Sequence, residues 1–161
     1  MKQGKKFLKF KLNNGQKVKA IKIGKTDTAI KYMLYDCLGP EMFMNENGTT
    51  EGGFEESDMR EYLNKELIRW FKDSMKEKME KDENGDYLTL PTEKEICSLK
   101  DWRDRIALDE DGHSTWYWLR DVAGSTHFAL VGGTGYCSGG TASDSLGVRP
   151  AFYLHVSADN L

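Results

Sequence analysis

The side chains with the most reactive chemistry are three cysteines and three histidines. Cys137 stands inside Gly132-Gly133-Thr134-Gly135-Tyr136-Cys137-Ser138-Gly139-Gly140, ten residues after His127. A thiol beside an imidazole base generates a nucleophilic thiolate, so Cys137 with His127 is the sharpest enzymatic hypothesis. An isolated cysteine in a flexible loop is more often a tolerated thiol, and that reading is preferred. Cys37, Cys97 and Cys137 are odd in number and widely spaced, with no Cys-x-x-Cys pair. This argues against a disulfide framework and a structural zinc site, and it suits a reducing compartment. His113, His127 and His155 are scattered without ligand spacing, and Asp109-Glu110-Asp111 lacks the regular spacing of a calcium loop. No metal and no cofactor is expected. Gly24-Lys25-Thr26 imitates the end of a phosphate-binding loop, but Lys19 occupies the leading glycine position and the following residues read as strand.

Recognition chemistry is better represented than catalysis. Tyr117, Asp121, Ser125, Thr126, His127, Tyr136, Ser138, Thr141, Ser143 and Asp144 are the candidates for a ligand-contacting surface across residues 117–146. Tyrosine interleaved with Ser and Gly combines large rigid contact area with adaptable hydrogen bonders, the composition that binding loops use. The alternative is an ordinary solvated loop. Trp116, Trp118 and Leu119 are expected to pack beneath the surface. Arg120 and Arg149 carry planar forks suited to fixing carboxylates or backbone carbonyls at strand ends, and both are read as structural.

The stretch that carries these groups is too poor in apolar residues to build its own core, so other elements must support it. Strand-like runs at 115–122 and 148–156 flank a shorter run at 127–131. At the start of the chain, Phe7-Leu8-Lys9-Phe10-Lys11-Leu12 and Lys17-Val18-Lys19-Ala20-Ile21-Lys22-Ile23 alternate at the period of a strand around Asn13-Asn14-Gly15, which predicts a hairpin with its lysines outward. A third strand is predicted over 29–37 and a long loop over 38–54. Met59, Tyr62, Leu63, Leu67, Trp70 and Phe71 recur at helical spacing, so a helix is predicted from Asp58, with Asp58 and Glu61 as an approximate capping box. Its periodicity continues weakly through Met75 and Met79. A short strand follows at 87–90. Thr92 and Glu95 then form a clearer capping box for a short helix reaching about Leu99, and Trp102 is read as an anchor for the irregular segment at 100–112.

Length and charge bound the rest. A chain of 161 residues accommodates one domain with a real core, here residues 1–37 as N-terminal strands, 54–99 as a helical region and 115–156 as a C-terminal platform. The architecture is α+β. No apolar run approaches the roughly 20 residues needed to span a bilayer, and Met1-Lys2-Gln3-Gly4-Lys5-Lys6 does not lead into a secretory signal. The expectation is therefore no membrane partner and a cytoplasmic location. The net charge of −3 gives no global pull toward nucleic acid, yet residues 1–31 hold ten lysines and one acid, Asp27. Lys9, Lys11, Lys17, Lys19 and Lys22 make polyanion binding an alternative, although nucleic acid is not the expected partner.

Trp116-Tyr117-Trp118-Leu119-Arg120 followed by Gly147-Val148-Arg149-Pro150-Ala151-Phe152 resembles a large group of bacterial and phage domains called DUF6273. Arg60-Glu61-Tyr62-Leu63-Asn64 and Tyr87-Leu88-Thr89-Leu90-Pro91-Thr92-Glu93-Lys94-Glu95 look like that family's two preceding landmarks, so the resemblance covers roughly residues 54–154. It implies a fold similar to the C-type lectins and the formylglycine-generating enzymes, and a surface between the two motifs that related receptor-like proteins diversify. Formylglycine-generating enzymes use a close pair of C-terminal cysteines, which is the basis of the thiol-enzyme alternative; Cys97, the nearest cysteine in sequence, lies forty residues before Cys137. The resulting expectation is a non-catalytic module that binds an unidentified protein or glycan, and the phage resemblance adds a virion-associated location as the alternative to a cytoplasmic one.

Overall fold

The computed structural model describes residues 7–156; the basic start at 1–6 and residues 157–161 lie outside the described residues. Alternating lysines fold β1 (Leu8–Lys11) back onto β2 (Lys17–Lys25) through a turn where Gly15 has φ of 86°, and β3 (Ala29–Leu34) pairs with β2. After a long loop come α1 (Asp58–Lys65), α2 (Asp73–Lys76), β4 (Met79–Glu80) and α3 (Glu93–Cys97). A two-stranded ribbon follows, β5 (Ala107–Leu108) with β6 (Ser114–Thr115), then a meander of β7 (Tyr117–Val122), β8 (His127–Val131) and β9 (Cys137–Thr141). The final strand, β10 (Ala151–His155), enters the first sheet between β3 and β4, giving the antiparallel order β1-β2-β3-β10-β4. The fold is thus α+β, with mainly antiparallel sheets and one main helix.

Two apolar clusters hold these layers. One gathers Leu12, Leu34, Met59, Leu63, Phe71, Leu88, Trp118, Phe128 and Phe152; the other gathers Ile21, Met33, Ile96, Tyr117, Leu119, Ala129, Val131 and Ala151. β8 shows the logic most plainly, because Phe128 and Leu130 enter the first cluster while Ala129 and Val131 enter the second. A strand covered on both faces loses polar alternation, which is why Tyr117, Trp118 and Leu119 are all buried. Each large apolar side chain removed from water this way contributes about 1.5–3 kcal/mol. Among the described residues no helix is long and apolar enough to cross a membrane.

Several elements differ from their sequence expectation. The helix from Asp58 ends at Lys65, and Leu67–Trp70 forms a 3-10 turn. After Lys65 the chain tightens to i→i−3 bonds, the Arg69 amide donating to Glu66 and the Phe71 amide to Ile68, and the carbonyls of Arg69, Trp70 and Phe71 then accept from the Asn13 side chain and backbone, which stops the helical path there. Its cap is Ser57 rather than Asp58, the Ser57 hydroxyl accepting from the Arg60 amide. Met79 belongs to β4 and not to a helix. The strand expected at 87–90 is a single bridge between Thr89 and Ala151, because the Asn64 side chain takes both backbone groups of Leu88. The Thr92–Glu95 capping box forms, and Glu95 also pairs with buried Lys31 at 2.9 Å. The stretch at 137–141, read as loop, is a strand.

Candidate functional site

The platform is fixed from beneath by Arg149, a fully buried guanidinium. Its Nε donates to the Leu34 carbonyl at 2.8 Å, Nη1 to the Tyr117 hydroxyl at 2.9 Å, and Nη2 to the carbonyls of Tyr35 and Asp104 at 2.8 and 2.9 Å. The Tyr117 hydroxyl donates in turn to the Arg105 carbonyl at 2.7 Å. One cation therefore joins β3, β7 and the segment at 102–105. Tyr117, expected on the contact surface, is sealed inside at 0% exposure, and burial pushes its phenol up to about 12 against the opposing pull of Arg149. Burial likewise pushes the Cys37 thiol up to about 12. Trp116 corrects the expectation in the other direction: it is 54% exposed, because it precedes β7 in the short connection from β6 and escapes the sheet's alternation.

Arg120 and Asp121 are held by a bulge in β7. Between Trp118 and Val122 the strand advances four residues while its partner advances two, from Leu130 to Phe128. The extra residues leave the ladder and turn toward α3. The Arg120 amide donates to the Pro91 carbonyl, and its guanidinium binds Thr89 and Glu55 at 3.0 Å while lying over the Phe54 ring. Asp121 accepts from the Glu93 amide at 2.6 Å, so this carboxylate is engaged at the start of α3.

The remaining candidates divide between the two ends of the β7-β8-β9 meander. Ser125, Thr126, His127, Thr141, Ser143 and Asp144 cluster where β7 turns into β8 and where β9 ends, with His127 paired to Thr141. Tyr136 occupies the opposite turn, and Ser138 is exposed on β9 beside it. At about 3.3 Å per residue the five residues of β8 separate these ends by roughly 16 Å. The exposed candidates therefore form two groups at opposite ends of the meander, and Tyr117 lies buried beneath them. The same separation dismantles the Cys137–His127 dyad, since Cys137 pairs with Val131 at one end and His127 bonds Thr126 at the other.

At the Tyr136 end, three aromatic side chains from separate segments border one turn, two of them in ring contact and the third beside its glycines. Tyr136 is 66% exposed, Trp116 54% and Trp102 41%. Trp102 donates from Nε1 to the Thr134 carbonyl at 2.7 Å and meets Tyr136 edge to face at 4.9 Å, while the Arg105 guanidinium lies 4.3 Å over its ring. The Trp116 indole packs against Gly132 and Gly133. Gly135 permits the arrangement, with φ of 91° and its α-carbon so close to Trp102 that a methyl group would stand 2.7 Å from Nε1. Sequence reading placed Trp102 as an anchor and Trp116 in the core, so two of the three rings were missed. The glycine-rich turn between them was the available signal.

Beside this turn the structure joins two groups that the sequence holds forty residues apart. Cys97 Sγ, at the end of α3, lies 3.9 Å from Cys137 Sγ, at the start of β9. Burial and the neighbouring Cys97 thiol push Cys137 up to about 11. Glu93, one turn before Cys97, brings a carboxylate oxygen within 4.8 Å of both sulfurs. Cys137 is thus neither isolated nor in a loop. Asp109, Asp111 and His113 form a second such group among the described residues, where the sequence showed no ligand spacing. There the Asp109 carboxylate already accepts the amides of Asp111 and His113. Comparison of the chain with protein-family models, with curated proteins and with solved structures finds no match.

Proposed function

We propose that this chain is a non-catalytic recognition module that binds a protein or glycan ligand through Trp102, Trp116 and Tyr136 around the turn at residues 132–136. The observation that carries the reading is the convergence of three exposed aromatic rings, from segments far apart in sequence, on one glycine turn. Contiguous exposed apolar surface is uncommon on soluble proteins and marks contact sites when it is clustered. Buried Arg149 and Tyr117 fix the segment at 102–105 that carries Trp102, so less conformational freedom is lost when a ligand docks. Trp, Tyr and Arg are also the residue types that dominate binding energy at protein contacts. The reading extends to a C-type-lectin-like fold of bacterial or phage origin, supported by the resemblance of 116–120 and 147–152 to that group's closing motifs. Screening the protein on a glycan array and a displayed-peptide library tests it. Saturable hits that vanish in Y136A are expected; no saturable hit, or hits indifferent to Y136A, would overturn it.

A second reading has one specific observation behind it. Lys9 faces Lys19 and Lys11 faces Lys17 directly across β1 and β2, and all four are exposed. Like charges placed opposite each other oppose pairing unless an anion joins them. Together with Asp36 and the apolar Phe10, Val18, Leu34, Cys37 and Leu38 they line a cavity of about 490 Å³. Lys22, three residues beyond Lys19, falls on the other face of the strand. Heparin or single-stranded DNA bound at low salt and released as salt rises would support polyanion binding; no binding at low salt would remove it.

A further inference from the structure

We propose that Glu93, Cys97 and Cys137 form a binding site for a thiophilic divalent cation of the zinc class. The inference is independent of the recognition reading and rests on ligand geometry. Two thiolates bound to a tetrahedral metal at about 2.3 Å stand about 3.8 Å apart, and the two sulfurs are already 3.9 Å apart. The third donor follows from α3 itself, because residues four apart share a helix face and Glu93 precedes Cys97 by four. Its carboxylate oxygen lies within 4.8 Å of both sulfurs, so an exposed side chain need only close in by a rotamer adjustment.

The donors sit on two elements that are each anchored without a cation. α3 is held by its Thr92–Glu95 capping box, by Asp121 on the Glu93 amide, by the Lys31–Glu95 pair and by the buried Ile96. Its end is held where Arg105 Nη2 donates to the carbonyls of Cys97 and Leu99. Cys137 is held by pairing of β9 with Val131 of β8. Three protein donors leave a fourth position for water or a ligand atom, and the exposure of Glu93 and Cys97 leaves that side open. Binding exchanges the two thiol protons for the cation, M²⁺ plus two thiols giving the dithiolate complex and two protons released to buffer, so affinity rises with pH. The site adjoins Tyr136, the residue before Cys137, and a bound cation would pin the end of α3 to the base of the aromatic turn.

Cobalt(II) titration of the reduced, metal-free protein tests this, with zinc(II) competition measured by calorimetry. A thiolate-to-cobalt charge-transfer band with tetrahedral d–d absorption is expected at one equivalent, displaced by zinc. C97S and C137S should each lower affinity by at least about 100-fold, E93Q by about 10-fold, and C37A and H113A should leave the band intact. Circular dichroism verifies the fold of each variant, and the wild-type band alone decides the matter if one variant unfolds. Absence of the band in the reduced wild type, its persistence in C97S and C137S, or recovery of the two cysteines only as a disulfide with no cation bound would overturn the proposal.

Discussion

The two ends of the β7-β8-β9 meander are built from similar amounts of chain and present opposite surfaces. At the end holding Ser125, Thr126, His127, Ser143 and Asp144, much of the polar capacity is already used internally. The Ser125 carbonyl accepts from the Thr50 amide, the Gly124 carbonyl from the Thr50 hydroxyl, the Thr126 carbonyl from the Ala142 amide, and the Thr126 hydroxyl meets His127 at 2.7 Å. At the Tyr136 end the exposed groups include three aromatic rings and the Cys97 thiol, which meets the half-buried Cys137. The contrast shows that small polar residues here mark turns, while the apolar groups that the fold leaves outside are what the proposed recognition surface rests on. The sequence expectation favoured the first end by composition; geometry favours the second.

Both ends rest on the same framework, and removing it should erase the contrast. Arg149→Ala leaves three carbonyls and the Tyr117 hydroxyl without their buried donor, so unfolding free energy should fall by about 3–5 kcal/mol in urea titration. An unchanged midpoint would mean that the guanidinium carries no such role. Raising the pH attacks the aromatic end's support more gradually. Cys37 and Tyr117 ionise near 9.0 and 10.0 when unperturbed, and both are raised to about 12 in the fold. The unfolded chain therefore releases these protons first. Their stabilisation is complete below about 9 and is lost as pH rises through about 12. Thermal melts across that window should show a falling midpoint, flattened in the C37A/Y117F double variant. The smallest change sharpens the comparison locally. Gly135→Ala meets both a left-handed φ and the Trp102 ring, so a loss of about 2 kcal/mol is expected together with altered tryptophan fluorescence.

The legible parts of the fold were those with local causes. Asn14-Gly15 between alternating lysine runs announced the hairpin, and Thr92 with Glu95 announced the start of α3, because each signal acts within a few residues. β9 was illegible because Cys-Ser-Gly-Gly-Thr has no strand preference of its own. It is held extended by β8, and Gly140 is required where a methyl group would stand 2.7 Å from Leu130. The exchange of Trp116 and Tyr117 between inside and outside followed from assuming one strand over 115–122, whereas the chain breaks its alternation at Trp116. The meeting of Cys97 with Cys137 depends on how α3 docks against the meander, which no spacing rule conveys.

The two ends can be set against each other directly with whichever array ligand the wild-type protein binds. Calorimetry of W116A/Y136A and H127A/D144A, with both variants verified as folded, measures what each end contributes. The account predicts at least about a 30-fold loss of affinity for W116A/Y136A, the scale of a hot-spot contact, and less than about a threefold change for H127A/D144A. The reverse ranking would contradict it.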